Sequence, residues 1–179
     1  MILPNSFQYT LHLATIVFAL SISIQNIEYI YLKKIWSSEW IWKLSNISSE
    51  CTALTHPNLK KFWDIIWGPL FDFLIIARFI AGASLFVYPN LLGLLIILIS
   101  TLAINFRCRG SFNGGSDMMT VITSAGLCFS WGFQNTPSVG SIGIIYIGVQ
   151  SIFSYFIAGL IKIRKSSWRS GHALEAFLK

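Results

Sequence analysis

The chain has 179 residues, of which 54% are hydrophobic and only 11% charged, with a mean hydropathy of +0.64. A soluble domain of this size carries about a quarter charged residues, so an ordinary water-soluble fold is excluded and an all-α integral membrane helical bundle is expected, as a single domain over residues 1–179. The net charge of +6 raises nucleic acid as a partner, but the cations are scattered over loops at the ends of apolar runs, where anionic headgroups lie, so membrane lipids are the expected partner instead.

The first apolar stretch covers residues 7–31. No basic residue precedes it and no small-residue cleavage site follows it, so it is expected to stay in the mature chain rather than act as a signal peptide. His12, near its outer end, is a lone histidine of interfacial character. Glu28 stands near its exit.

A long polar connection follows, with a cytoplasmic interfacial segment at 35–61 whose first part, Trp36 to Ile47, reads as a helix lying on the membrane surface. Trp36, Trp40, Leu44 and Ile47 repeat at helical spacing, with Glu39 and Lys43 flanking that face. Trp63 and Trp67 mark re-entry into the bilayer, since indole rings favour the headgroup layer. From Ser48 to Asn58 no apolar period is visible, and the stretch reads as a connector.

The second stretch, 67–87, contains Asp72 and Arg78. Arg78 lies about eleven residues inside, roughly 16 Å deep at 1.5 Å per residue. A guanidinium there costs at least ~2.5 kcal/mol, so a carboxylate, a backbone carbonyl or a ligand is expected to meet it. The turn at Tyr88, Pro89 and Asn90 is uncharged, and the third stretch covers 91–106.

The next connection, RCRGSFNGGSDMMT from Arg107 to Thr120, supplies glycines for a turn and Ser116 or Asp117 to cap the fourth helix, expected over 118–133. Its glycine amides also suit an anion, although Asp117 opposes phosphate there. After an uncharged turn, the fifth stretch covers 141–163 and closes on Lys162, with Trp168 beyond it as a further interfacial anchor.

Twelve of the 13 Lys and Arg residues then fall on one side of an alternating map, the exception being Arg78. The positive-inside bias puts the amino terminus outside and the carboxyl terminus in the cytoplasm, which requires an odd number of spans; five are expected. Glu28, Asp72 and Asp117 all lie toward the cytoplasmic ends of their spans, as does Lys162. With Asn105 and Asn113, they are expected to line one polar cavity floored by Arg78. The three cysteines, Cys51, Cys108 and Cys128, show neither a CxxC pair nor zinc-ligand spacing, so no metal is expected. Cys108, between two arginines, is a free thiol whose pKa those charges would lower if it is exposed.

Tyr155 to Gly171 reads YFIAGLIKIRKSSWRSG. In Tyr155, Phe156, Ala158, Gly159, Lys162, Trp168 and Gly171, this block resembles the HTTM superfamily, whose membrane domain occurs in vitamin K-dependent gamma-carboxylases and in bacterial relatives that help make secreted peptide toxins. Gly114, Gly115 and Asp117 are similar to that family's earlier Gly-Asp element, and Arg78, Gly82 and Phe86 resemble the small DoxX family more weakly. The resemblance spans roughly the second stretch to Gly171. It implies a bacterial inner-membrane protein, a possible quinone cofactor, and Lys162 in the place of the lysine that deprotonates reduced vitamin K. A lysine desolvated at a helix end can shed its proton near neutral pH, while a lysine reaching back to the interface as an anchor is the plainer alternative. The superfamily's domain continues past the Trp-Gly element and the carboxylases add a large extramembrane domain, so partner membrane proteins are expected to supply substrate recognition. Two functions follow as expectations. One is a module acting with partners in exported-peptide maturation or quinone-linked redox chemistry; the other is a non-catalytic lipid-binding subunit of a larger complex.

Overall fold

The computed structural model describes residues 4–31, 61, 65, 69–107 and 115–173, and among these it is all-helical. Five long helices follow one another: α1 (Pro4–Tyr31), α2 (Pro69–Val87), α3 (Leu91–Arg107), α4 (Gly115–Gly132) and α5 (Pro137–Arg164), with a final turn α6 (Ser166–Arg169). The interfacial segment expected at 35–61, of which only Lys61 is described, and Trp36, Trp40, Trp63, Trp67 and Asn113 lie outside the described residues. α1, α2 and α5 are each long and apolar enough to cross a membrane; α3 is a shorter apolar helix.

The short connections make consecutive helices antiparallel. Between α2 and α3, Asn90 caps the new helix by accepting the Gly93 amide N–H at 2.8 Å, while its own side-chain amide donates to the Tyr88 carbonyl at 2.6 Å. Pro89 explains why α2 stops where it does, because the residue before proline is pushed out of the helical region. α5 begins with Pro137 in its first turn, where a missing N–H costs nothing. Arg107, Lys162 and Arg164 therefore gather at one end, here termed the basic end, and both tight turns at the other.

The core is built by α1 to α4. Phe7, Leu11, Phe18 and Ile22 of α1 meet Leu85 of α2, Leu94 and Ile97 of α3, and Leu127 and Trp131 of α4. Gly82 brings α2 close to α1, since a Cβ there would stand 2.9 Å from Ile22 Cγ2. Of α5, only Gly140 and Gly143 are buried. At that end a glycine seam holds it against α4: a Cβ on Gly143 would strike the Gly126 carbonyl and Ser130 Oγ, and Ser130 Oγ donates to the Gly140 carbonyl at 2.8 Å. Toward the basic end α5 leaves the bundle.

The distribution of polarity is inverted relative to a soluble protein. Thr15, Asn26, Arg78, Ser100, Thr101, Asp117, Ser124 and Ser130 are buried, while Tyr9, Ile76, Leu92, Val149 and Ile152 are among many large apolar residues exposed on the outside. The hydroxyls are satisfied within their own helices: Thr15, Ser100, Thr101 and Ser124 each donate to the carbonyl four residues earlier.

Candidate functional site: a fixed arginine beside a lateral groove

Arg78 is completely buried, and three side chains from two other helices converge on its guanidinium. Its Nη1 donates to Asn26 Oδ1 at 2.6 Å, its Nη2 to Gln25 Oε1 at 2.7 Å, and its Nε to Thr101 Oγ1 at 3.2 Å. Asn26 also returns a long bond from its side-chain amide to the Arg78 carbonyl, 3.4 Å. The guanidinium carbon lies 5.0 Å from the centroid of the Tyr29 ring, close enough for a cation–π contribution. Tyr29 in turn donates its hydroxyl to Asp117 Oδ1 at 2.9 Å.

These contacts answer what meets the charge inside the apolar helix. Neutral amide oxygens and a hydroxyl oxygen contact Arg78 directly, and the buried carboxylate of Asp117 acts from behind the Tyr29 ring. Amides from two adjacent residues of α1 reach two different guanidinium nitrogens, which fixes the rotation of α1 against α2. Thr101 then ties α3 to the same group, and Thr120 of α4 joins by accepting the Gln25 side-chain N–H at 2.8 Å.

The residues named from the sequence divide clearly. Arg78 and Asp117 belong to this network. Glu28 and Asp72 are exposed, whereas Arg78 is buried, and neither is in the described lining of the groove. Asn105, one turn from Thr101, is buried, and its Oδ1 has no hydrogen-bond partner among the described residues. Asp117 sits in the first turn of α4, favourable to the positive end of the helix dipole, as expected for a capping-region acid. Lys162 is exposed near the end of α5 with its Nζ 4.8 Å above the Trp168 ring. His12 packs edge-on against Trp131, centroids 5.1 Å apart. Gln25, Asn26, Tyr29 and Thr101 were not singled out by sequence; the Gln-Asn pair interrupting the end of an apolar run was the available signal. Among the described residues no cluster of His, Cys, Asp or Glu is arranged to hold a metal.

Beside this network lies a cavity of about 1050 Å³ between α1, α4 and α5. It exists because α1 and α5 meet at Phe7 and Gly140 and then diverge, leaving α4 as the back wall. Leu13, Phe18, Leu127, Ile144 and Ile147 line the half near the tight turns, and Gln25, Thr120, Gln150, Ser154 and Tyr155 line the half toward the basic end. Gln25 is the shared element: one amide faces both Arg78 and the groove. Tyr155 and Ala158, two of the residues behind the HTTM resemblance, are in the wall. Lys162 stands one helical turn beyond Ala158 on the same stripe of α5 and is not itself in the lining.

No protein-family model, curated protein or solved structure matches this chain. What the molecule defines by itself is a helical protein with three helices able to span a membrane, an internal arginine network and a groove along one flank.

Proposed function

We propose that the chain is an integral membrane protein of five spans, with its amino terminus outside and its carboxyl terminus in the cytoplasm, that holds a lipid or quinone in the lateral groove and works with partner membrane proteins. The observation that carries this reading is the inverted polarity: buried Arg78, Asn26 and Asp117 beneath an exterior of exposed Ile, Leu, Val and Phe. Such a surface in water would be a single contiguous apolar patch far above the few hundred Å² that monomeric soluble proteins expose. In hydrocarbon it is the ordinary state, and the hydroxyl back-bonding is what a bilayer interior demands. The cations at the basic end favour the cytoplasmic side by the positive-inside bias. α5, with its broad unpartnered apolar face, supplies the surface for a partner span.

Within this reading a lipid-binding subunit is favoured, because Arg78 is engaged by packing partners and Lys162 rests on Trp168 outside the groove. One observation favours the second reading, quinone-linked redox chemistry or exported-peptide maturation with Lys162 as base. Tyr155 and Ala158 line the groove, and Lys162 stands one turn beyond Ala158 on the same stripe of α5. The test is native mass spectrometry of the full chain extracted gently from its own membrane. A lipid or quinone adduct travelling with partner polypeptides is expected. A quinone adduct lost on Lys162→Ala supports the redox reading; an adduct indifferent to it supports the subunit. A chain carrying neither adduct nor partner refutes both.

A further inference from the structure

Among the described residues, the groove's lining holds no Asp, Glu, Lys, Arg or His. Arg78, the nearest buried cation, is fully enclosed behind Gln25, and Asp117 is turned toward Tyr29. A phosphate or carboxylate placed in the groove would be desolvated without a counter-charge in the wall, which is prohibitive in a medium of low dielectric constant. A ligand seated there is therefore uncharged.

The polar groups in the wall are placed to bind one end of such a molecule. Arginine can only donate, so Gln25 must present Oε1 to Arg78 and Nε2 to the other side. One Nε2 hydrogen goes to Thr120 Oγ1. The second has no acceptor among the described residues, and Gln25 borders the groove. Across from it on α5, Gln150 and Ser154 are half-buried in the wall and likewise make no hydrogen bond among the described residues. Ser154 could have back-bonded to the carbonyl of residue 150, as Ser151 does to Ile147 at 2.7 Å, yet does not.

Depth completes the argument. Gln25 lies six residues from the end of α1 and Ser154 ten from the end of α5, about 9 and 15 Å along the axis. That is too deep for a phospholipid headgroup, which stays at the interface. The more apolar half is lined by Leu13, Val17 and Phe18 of α1, Leu127 of α4, and Ile144 and Ile147 of α5.

Resting on the reading of the groove as a lipid site, we infer that it takes an uncharged amphiphile whose carbonyl head is held by the Gln25 and Gln150 amides and the Ser154 hydroxyl, with the apolar part toward the tight turns. Two natural sources share that chemistry, a prenyl quinone and a monoacyl glyceride.

The full chain, purified in mild detergent, is incubated with a short-chain prenyl benzoquinone, with monooleoylglycerol, with oleate and with dioleoyl phosphatidylglycerol. Retained mass is then read by native mass spectrometry. One or both neutral probes are expected to be retained one to one, and which one names the source. Gln150→Leu combined with Ser154→Ala, at positions that make no hydrogen bond among the described residues, is expected to weaken retention about 5- to 25-fold, as one or two net hydrogen bonds at about 1 kcal/mol each require. Ala158→Trp, at an exposed wall position, is expected to abolish it. Equal retention of oleate or phosphatidylglycerol, sensitive to Ala158→Trp, overturns the inference while leaving the groove as a lipid site. Adducts unchanged by Ala158→Trp overturn both, because the lipid is then merely adherent. Retention of no probe also overturns the inference, whereas a co-extracted adduct from the native membrane would still uphold the wider reading.

Discussion

The glycine seam offers the sharpest quantitative test of how α5 is held. Gly143→Ala places a methyl against the Gly126 carbonyl and Ser130 Oγ, and neither the backbone of α4 nor a serine already bonded to Gly140 can yield easily. Overpacking of this kind costs about 1–3 kcal/mol. Displacing α5 also strains the Ser130–Gly140 bond, and interhelical bonds in membrane bundles average about 0.6 kcal/mol. Gly148→Ala is the control, because a Cβ there meets nothing. Both substitutions gain about 1 kcal/mol of helix propensity, and that gain cancels in the comparison. Gly143→Ala is therefore expected to be less stable than Gly148→Ala by about 2–4 kcal/mol. The assay is unfolding of the full chain by increasing mole fraction of dodecyl sulfate in mixed micelles, followed by far-ultraviolet circular dichroism. A Gly143→Ala midpoint equal to or above that of Gly148→Ala would refute close packing of α4 and α5 at the seam.

Arg78→Leu removes three hydrogen bonds, worth about 0.6–2 kcal/mol each inside a membrane, and relieves an insertion penalty of about 2.5 kcal/mol. The balance of these terms runs from about no change to a loss of about 3.5 kcal/mol in the same unfolding assay, with Arg78→Lys intermediate because an ammonium cannot reproduce the planar fork. Tyr29→Phe and Asp117→Asn, alone and together, form a double-mutant cycle whose coupling is expected near 1 kcal/mol; additive effects would dissolve the link between them. Lys162→Met is expected to cost under about 1 kcal/mol, the scale of an exposed cation–π contact, and a larger loss in unfolding would show that Lys162 does more than rest on Trp168.

Much of the helix layout is legible from apolar runs punctuated by proline, asparagine and glycine. The run at 91–106 becomes α3 at Leu91–Arg107, and 67–87 becomes α2 at Pro69–Val87. The departures have a common cause at the starts of helices: α4 begins at Gly115 and α5 at Pro137, because caps and first turns are polar or prolyl and fall outside a hydropathy window. Arg78 and Asp117 were visible as charges in apolar surroundings. Their partners were not, since choosing them depends on the rotation of each helix. Glu28 lies two residues beyond Asn26, about 200° around α1 at 100° per residue, and so faces away from Arg78 although its depth is suitable. Asp72, six residues before Arg78 on α2 and so about 120° away around the helix, is exposed as well. The groove had no sequence signature at all, being produced by the divergence of α5 from a seam that only glycines permit.

That divergence decides from which medium the groove is filled. Its described walls are α1, α4 and α5 along the flank of the bundle, so in a bilayer a lipid ligand would arrive sideways from the lipid phase. Occupancy is then governed by the mole fraction of the ligand among lipids and is insensitive to the volume of water around the membrane. Adding inert lipid at constant protein would empty the groove, whereas diluting the whole suspension would not. Under the proposed reading, a sparingly soluble molecule would thus reach the Gln25 amide without ever crossing water.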